Sequence, residues 1–167
     1  ARLLAQLGEN KKALKIYQKS SKKQKNTRSD LAEGSILEQH EALAEMKEYK
    51  KAAKVLEKYI KKNTDQQSRI FTLMSTYISF CQQHKMQKQA CRFIKKTYAS
   101  MKGSTDDFVI LQLMEIMKRA YVTAGDKHGI KKTQKEIDRF IKEQERLANK
   151  DRKRNKRRQE EENNSYN

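Results

Sequence analysis

The sequence contains no proline and no tryptophan, and it has five glycines among its 167 residues. Turn-rich and all-β chains normally recruit proline and glycine to their turns, so this shortage argues against both classes. Of the residues that are present, 35% are hydrophobic and 36% are charged. A composition rich in Lys, Glu, Gln, Leu and Ala is typical of long helices and predicts an all-α protein.

Cysteine is also scarce. Cys81 and Cys91 lie in apolar surroundings and lack the spacings of a disulfide framework, so we interpret them as reduced core residues of an intracellular protein. No run approaches the roughly eighteen apolar residues that span a bilayer, and no signal peptide is visible, so we predict no membrane span. Because Ala1 looks like the middle of a helix, we expect the chain to be a segment of a longer protein.

Negative charge is in short supply, because 21 Asp and Glu stand against 39 Lys and Arg, for a net charge of +18. A field of this sign favours acidic partners, such as nucleic acid, an anionic membrane, an acidic protein surface or an acidic, tubulin-like tail. The alternative is that the lysines only keep the helices solvated. Composition leaves both interpretations open.

Four similar segments follow one another at nearly equal spacing. Each combines a turn, a basic step and a small or medium apolar residue, which is Ala13, Ala52, Ala90 and Ile130 in turn, at separations of 39, 38 and 40 residues. Apolar residues recur at i, i+3, i+4 and i+7 before and after the turns, which predicts two helices per segment. Repeats of this length indicate stacked helical hairpins.

Signals for helix ends agree with this interpretation. The stretches "TDQQ" at Thr64–Gln67 and "STDD" at Ser104–Asp107 have the form of capping boxes that open a helix. Gly103 and Gly125 stand where helices should end, since glycine adopts the left-handed C-terminal conformation without steric cost.

Beyond Ile141 the apolar stripe fades and charged residues dominate. We therefore divide the chain into about four helical repeats over residues 1–142, the first of them truncated, and a charged, partly disordered tail over residues 143–167. The tail begins as a basic helical extension, and its basic cluster is typical of a nuclear localisation signal or a polyanion contact. The alternative is a charged helix end followed by an acidic counter-block. The cluster consists of Lys150, Arg152, Lys153, Arg154, Lys156, Arg157 and Arg158.

A turn glycine or its substitute, a residue two positions further on (Tyr49 in the second unit), a small alanine in the second helix and a bulky residue four positions later recur along the chain. The positions are Gly8, Ala13 and Tyr17, then Tyr49, Ala52 and Leu56, then Ala90 and Ile94. This pattern resembles the tetratricopeptide repeat (TPR). The resemblance implies a right-handed superhelical stack of helix-turn-helix repeats, an α-solenoid, that binds other proteins.

The resemblance has departures. The units exceed the usual length of about 34 residues, the closing proline is absent, and Ile130 replaces the small alanine in the last unit. Longer units of this kind look like the divergent TPR-like arrays of adaptor and motor-associated proteins. The third and fourth units are also similar to pentatricopeptide repeats, which would imply binding of single-stranded RNA.

No constellation of residues predicts an enzyme. His40, His84 and His128 are far apart and have no second His or Cys at metal-ligand spacing, and no glycine-rich phosphate loop is present. We therefore predict a non-enzyme without a metal or a cofactor.

Two surfaces remain as candidates for binding. In a stack of hairpins the first helices line the inner, concave groove, which suits an extended peptide or a partner helix. The candidate groove residues are Glu41, Glu45, Ser75, Ser79, Gln82, Gln83, Gln112, Glu115 and Arg119. The second helices carry basic stripes that could bind a phosphate backbone. These stripes comprise Lys11, Lys12, Lys15, Lys50, Lys51, Lys54, Lys58, Lys88, Arg92, Lys95 and Lys96.

Our leading hypothesis is a protein–protein interaction scaffold, a TPR-like segment of a larger protein that assembles a multiprotein or ribonucleoprotein complex. The alternative is a helical-repeat module that binds RNA or another polyanion through the basic stripes and the C-terminal cluster. We expect an intracellular protein, cytoplasmic or nuclear.

Overall fold

A computed structural model describes residue 4 and residues 7–23, 29–64, 67–103 and 106–165. Throughout these residues the chain forms helices joined by short connections, and it forms no strand there. The helices are α1 (Asn10–Lys23), α2 (Ser29–Glu45), α3 (Tyr49–Lys62), α4 (Gln67–Gln83), α5 (Gln87–Met101), α6 (Asp107–Ala124) and α7 (Lys127–Ser165).

Each helix packs against the next one along the chain, and α4 also packs against α6. The α2–α3, α4–α5 and α6–α7 pairs are hairpins with very short turns, and α1 precedes the first of these pairs, in the place of a second helix. We call α2, α4 and α6 the first helices and α1, α3, α5 and α7 the second helices. The predicted fold class, an all-α stack of helix-turn-helix repeats, is confirmed.

The repeated alanines mark where the helices cross. Ala13, Ala52 and Ala90 are each 0% exposed. Because a larger side chain at such a crossing would overpack the core, the small residue lets the helices approach closely. The fourth position, Ile130, is half-buried, in keeping with the departure from the pattern in the last unit.

The turns repeat with the same spacing as the alanines. Gly8, Lys47, Lys85 and Gly125 all have left-handed backbone angles, with φ between 58° and 77°. In each case the following residue donates a backbone hydrogen bond to the carbonyl five residues before it, as in Glu48 N to Leu43 O at 2.9 Å. This is a Schellman C-cap, and it closes every hairpin.

The sequence signals for helix ends are only partly correct. Gly125 has the left-handed conformation that we predicted, whereas Gly103 lies just beyond α5 without it. Helix α6 is capped by Asp106, whose carboxylate accepts from Val109 N at 2.9 Å. The predicted capping box placed the cap at Ser104, which lies outside the described residues, as do residues 65 and 66 of the other box.

Helix α7 is much longer than the others. Its first half packs on α6 through Thr133, Ile137 and Phe140, and from Ile141 to residue 159 its side chains are exposed apart from half-buried Gln144. The helix crosses the proposed boundary at residue 142 without a break and continues to Ser165. The division into repeats and tail stays a prediction. No described helix is long and apolar enough to cross a membrane.

Candidate partner-binding surfaces

The predicted groove residues all lie on the first helices, and none of them is buried. Those that are exposed are Glu41, Glu45, Gln82, Gln83, Glu115 and Arg119, and those that are half-buried are Ser75, Ser79 and Gln112. Helices α4 and α6 pack together along this surface. Helix α2 meets α4 where the rings of His40 and Phe80 approach to 4.4 Å. We call the exposed and half-buried side chains of α2, α4 and α6 the first-helix face.

Sequence reasoning missed the apolar part of this face. Phe108 is 68% exposed and Val122 is 55% exposed, both on α6. With half-buried Leu111, and with Glu115 and Lys118 between, they form a stripe at alternating steps of three and four residues. The signal was available, because this stripe is offset from the buried residues of the same helix.

The stripe has an apolar side chain at each end and polar side chains at its centre. Phe108 and Val122 are fourteen residues apart, or about 21 Å along the helix. Between them Lys118 Nζ lies 3.8 Å from a Glu115 carboxylate oxygen. Phe108 and Val122 are two of the large apolar side chains that the structure leaves exposed.

The charge of the molecule is segregated between the two sets of helices. The first helices carry three Lys or Arg and seven Asp or Glu, a net charge of −4. The second helices carry thirty Lys or Arg and nine Asp or Glu, a net charge of +21. All eleven residues of the predicted basic stripes are exposed. We call the exposed side chains of α1, α3, α5 and α7 the second-helix face.

The C-terminal cluster belongs to the second-helix face. All seven of its basic residues are exposed on α7. Five of them, at positions 150, 153, 154, 157 and 158, share one side of the helix because they recur at i, i+3, i+4, i+7 and i+8. The helix therefore concentrates the cluster into a stripe.

A buried polar contact fixes two hairpins relative to each other. The Tyr77 hydroxyl donates to Glu57 Oε1 at 2.5 Å, and Gln89 Nε2 donates to the same oxygen at 2.8 Å. Burial, reinforced by the bond to Glu57, raises the pKa of Tyr77 well above its usual value of 10.0. Helices α3, α4 and α5 meet here. Sequence reasoning missed this contact, although a core tyrosine normally needs a hydrogen-bond partner.

An aromatic cluster joins the same hairpins at their turns. Tyr49 stacks on His84 with ring centroids 3.8 Å apart, and Phe80 lies against both His40 and His84. The Nδ1 atom of His40 lies 3.2 Å from the Ala52 carbonyl oxygen, and burial lowers the pKa of His40 below 6.5. Among the described residues no group of His, Cys, Asp and Glu is arranged to hold a metal ion.

The two cysteines are free thiols in different settings. Cys81 is fully buried, which raises its pKa to about 11. Cys91 is half-buried, and its pKa is raised by burial and by the Asp126 carboxylate. Both therefore stay protonated at neutral pH. Cys81 is a core residue, as predicted, whereas Cys91 also reaches the surface.

Comparison with protein-family models and with curated proteins finds no match. Among solved structures, the chain is similar to one described as a Podosopora anserina kinesin light chain with nearly identical TPR-like repeats. The two chains share 12% sequence identity over 87% of this chain and 92% of the other, with a TM-score of 0.36. A likeness this distant assigns no family, function or partner to the chain.

Proposed function

We propose that this chain is a non-enzymatic protein-interaction scaffold that binds a segment of another protein on its first-helix face. The observation that carries the proposal is the stripe on α6, where Phe108 and Val122 remain largely exposed at either end of a polar centre. Interfaces of stable complexes are enriched in aromatic and other large apolar side chains, and this stripe presents two of them with polar side chains between.

The spacing suits a partner helix. Four turns of an amphipathic helix place apolar side chains about 21 Å apart, which matches the separation of Phe108 and Val122. The Glu115–Lys118 pair would then meet polar side chains of the partner at the centre. An extended peptide of about six or seven residues spans the same length.

The nine predicted groove residues form the polar surroundings of this stripe. Gln112, Glu115 and Arg119 lie on α6 itself, and the others lie on α4 and α2. We assign them to hydrogen bonding and to the orientation of the partner. Because polar side chains around an anchor mainly exclude water and fix orientation, each should contribute less to affinity than the apolar anchors do.

The test compares the effect on partner binding of introducing aspartate on two different surfaces of the chain. The wild-type chain, used as affinity bait, identifies the bound protein, and the dissociation constant is then measured by biolayer interferometry for three chains. We expect Phe108→Asp combined with Val122→Asp to weaken binding at least about tenfold, since anchors commonly contribute over 1 kcal/mol each. Ile16→Asp, on exposed Ile16 of α1, is the matched control and should change affinity less than about twofold. Equal losses in both variants would contradict the proposal.

The segregation of charge favours a second candidate function, contact with RNA or another polyanion through the second-helix face and the C-terminal cluster. The support is the net charge of +21 on the second helices. Phosphate contacts of this kind depend steeply on salt, because binding releases counterions.

Binding of RNA oligomers of several sequences should be measured between about 50 and 300 mM salt. Weak binding that disappears with salt and ignores sequence indicates loose polyanion contact beside a protein-binding function. Strong binding that depends on sequence at the higher salt would make RNA the principal ligand. We also propose the C-terminal cluster as a nuclear localisation signal, which a fluorescent fusion with the seven basic residues changed to Gln would test.

A further inference from the structure

A cleft of about 640 Å³ opens between α5 and the turn that joins α6 to α7. Its rim is basic, with Lys88, Arg92 and Lys95 all contributed by α5. Cys91, Tyr121 and Ala124 contribute apolar surface, and Asp126 lies at the turn. The cleft includes none of the predicted groove residues and neither Phe108 nor Val122.

The three cations of the rim act together because of their spacing. They occur at i, i+4 and i+7, so they project from the same side of α5, and all are exposed. Arg92 Nε donates to the Lys88 carbonyl oxygen at 3.3 Å, which ties the guanidinium to the helix surface. Against them stands the single carboxylate of Asp126, whose Oδ1 accepts from Gly129 N at 2.9 Å as the cap of α7. The rim is therefore net cationic.

The apolar surface of the cleft is held in place by α6 and α7. The Cys91 thiol donates to the Ala120 carbonyl oxygen at 3.1 Å, across the α5–α6 contact. The Tyr121 ring lies directly on the backbone of α7 at Gly129, where an added Cβ would stand 2.4 Å from ring atom Cδ1. Gly129 is thus required for the position of this ring.

From this geometry we infer that the cleft binds a short acidic segment of a partner protein. Carboxylates of the segment pair with Lys88, Arg92 and Lys95, and one apolar side chain lies between them on Cys91 and Tyr121. The site is additional to the proposed partner site on the first-helix face. It does not depend on that site.

RNA fits the same cleft less well. Strands of nucleic acid are usually held by several aromatic platforms along a basic groove. This cleft has one aromatic ring, whose one face is already packed on Gly129. A peptide backbone can also donate an N–H group to the Asp126 carboxylate at the turn.

The first measurement is fluorescence anisotropy with a labelled eight-residue peptide of glutamates around one central leucine. We expect Arg92→Glu to weaken peptide binding about tenfold at about 150 mM salt, because it reverses a charge at the centre of the rim. Lys96→Glu makes the same charge change on exposed Lys96 of the same helix, outside the cleft, and should weaken binding less than about twofold. Circular dichroism confirms that both variants keep their helical content.

The second measurement locates the peptide. Alkylation of Cys91 by N-ethylmaleimide, followed by mass spectrometry at mildly alkaline pH, reports directly on the cleft, and buried Cys81 is the internal control. Saturating peptide should slow modification of Cys91 several-fold. Three results would overturn the inference: an unchanged rate at Cys91, an equal loss of affinity in Lys96→Glu, or better protection by an oligouridylate of equal charge. None of them bears on the first-helix face.

Discussion

Helix α4 packs against α3, α5 and α6, whereas the second helix of the same hairpin, α5, packs against α4 and α6. Helices α4 and α6 are therefore each covered by three neighbours, and their sequences are correspondingly apolar. The second helices leave one side to solvent and fill it with lysine. The difference in packing also explains how charge is distributed, since the net positive charge lies on the second helices, which leave one side to solvent.

The two helices of each hairpin therefore contribute different properties to the molecule. The first helices build the contacts between units and present a face with exposed apolar residues. The second helices keep the stack soluble and give it a strongly positive field. Substitutions can therefore be chosen that separate packing from charge, and we order them by expected effect.

The largest loss should follow from enlarging a crossing alanine. Ala90→Leu inserts a larger side chain at a position of α5 that is fully buried. We therefore expect the free energy of unfolding, measured by urea denaturation, to fall by about 3 kcal/mol. Ala99→Leu, on exposed Ala99 of the same helix, is the control and should change stability by less than about 0.5 kcal/mol. Similar effects at both positions would mean that Ala90 does not lie at a helix crossing.

Removing the half-buried carboxylate of Glu57 should cost somewhat less. Glu57→Ala leaves the buried Tyr77 hydroxyl without its acceptor, and we expect a loss of about 2 kcal/mol by the same denaturation measurement. Glu57→Gln retains an acceptor oxygen and should recover about half of the loss. If Glu57→Ala and Glu115→Ala were equally stable, the contact between hairpins would contribute nothing.

Much of this architecture could be predicted from the sequence, because the packing of similar hairpins requires similar residues at regular intervals. The crossing alanines at positions 13, 52 and 90 recur at a fixed spacing, since each hairpin repeats the same crossing. Lys47 and Lys85 were not recognised as turn residues because lysine rarely adopts the left-handed backbone conformation. The bonds from Tyr77 and Gln89 to Glu57 span 20 and 32 residues, and no local pattern reports such pairs.

The candidate surfaces were only partly predictable, for a related reason. The polar groove residues follow from helical phase once the hairpins are known. Phe108 and Val122 were missed because the sequence reasoning followed only the apolar residues on the core side of this helix and did not ask what the remaining ones do.

Acidification should weaken the contact between the second and third units. Burial lowers the pKa of His40 below 6.5, so the unfolded chain binds a proton more readily than the folded chain. Stability should therefore be constant above neutral pH and fall as pH drops through 6.5, by less than the loss in Glu57→Ala. Glu41 and His84 also act on this imidazole.

Thermal unfolding between pH 8 and pH 5 measures this dependence. In His40→Asn the amide can still donate to Ala52 O, but the titrating group is gone, and the slope should decrease. His128→Gln changes an exposed histidine of α7 and should keep the wild-type slope. A wild-type slope in His40→Asn would assign the dependence to another group.

The smallest effect should be a gain. Lys47→Gly and Lys85→Gly relieve left-handed strain at two turns, and each should stabilise the chain by about 0.5 kcal/mol in urea denaturation. The two gains should add, because the turns are far apart. Lys54→Gly, in the exposed middle of α3, is expected to cost about 1 kcal/mol instead. A loss in Lys85→Gly would show that this turn is not left-handed.

The central claim is that partners are bound on the first-helix face while the second-helix face carries the charge. Hydrogen–deuterium exchange of the chain, alone and saturated with the protein that it captures, tests this claim most directly. We predict that added protection is concentrated in peptides from α2, α4 and α6, and is strongest in α6. Protection confined to α3, α5 and α7, with α6 unchanged, would contradict it.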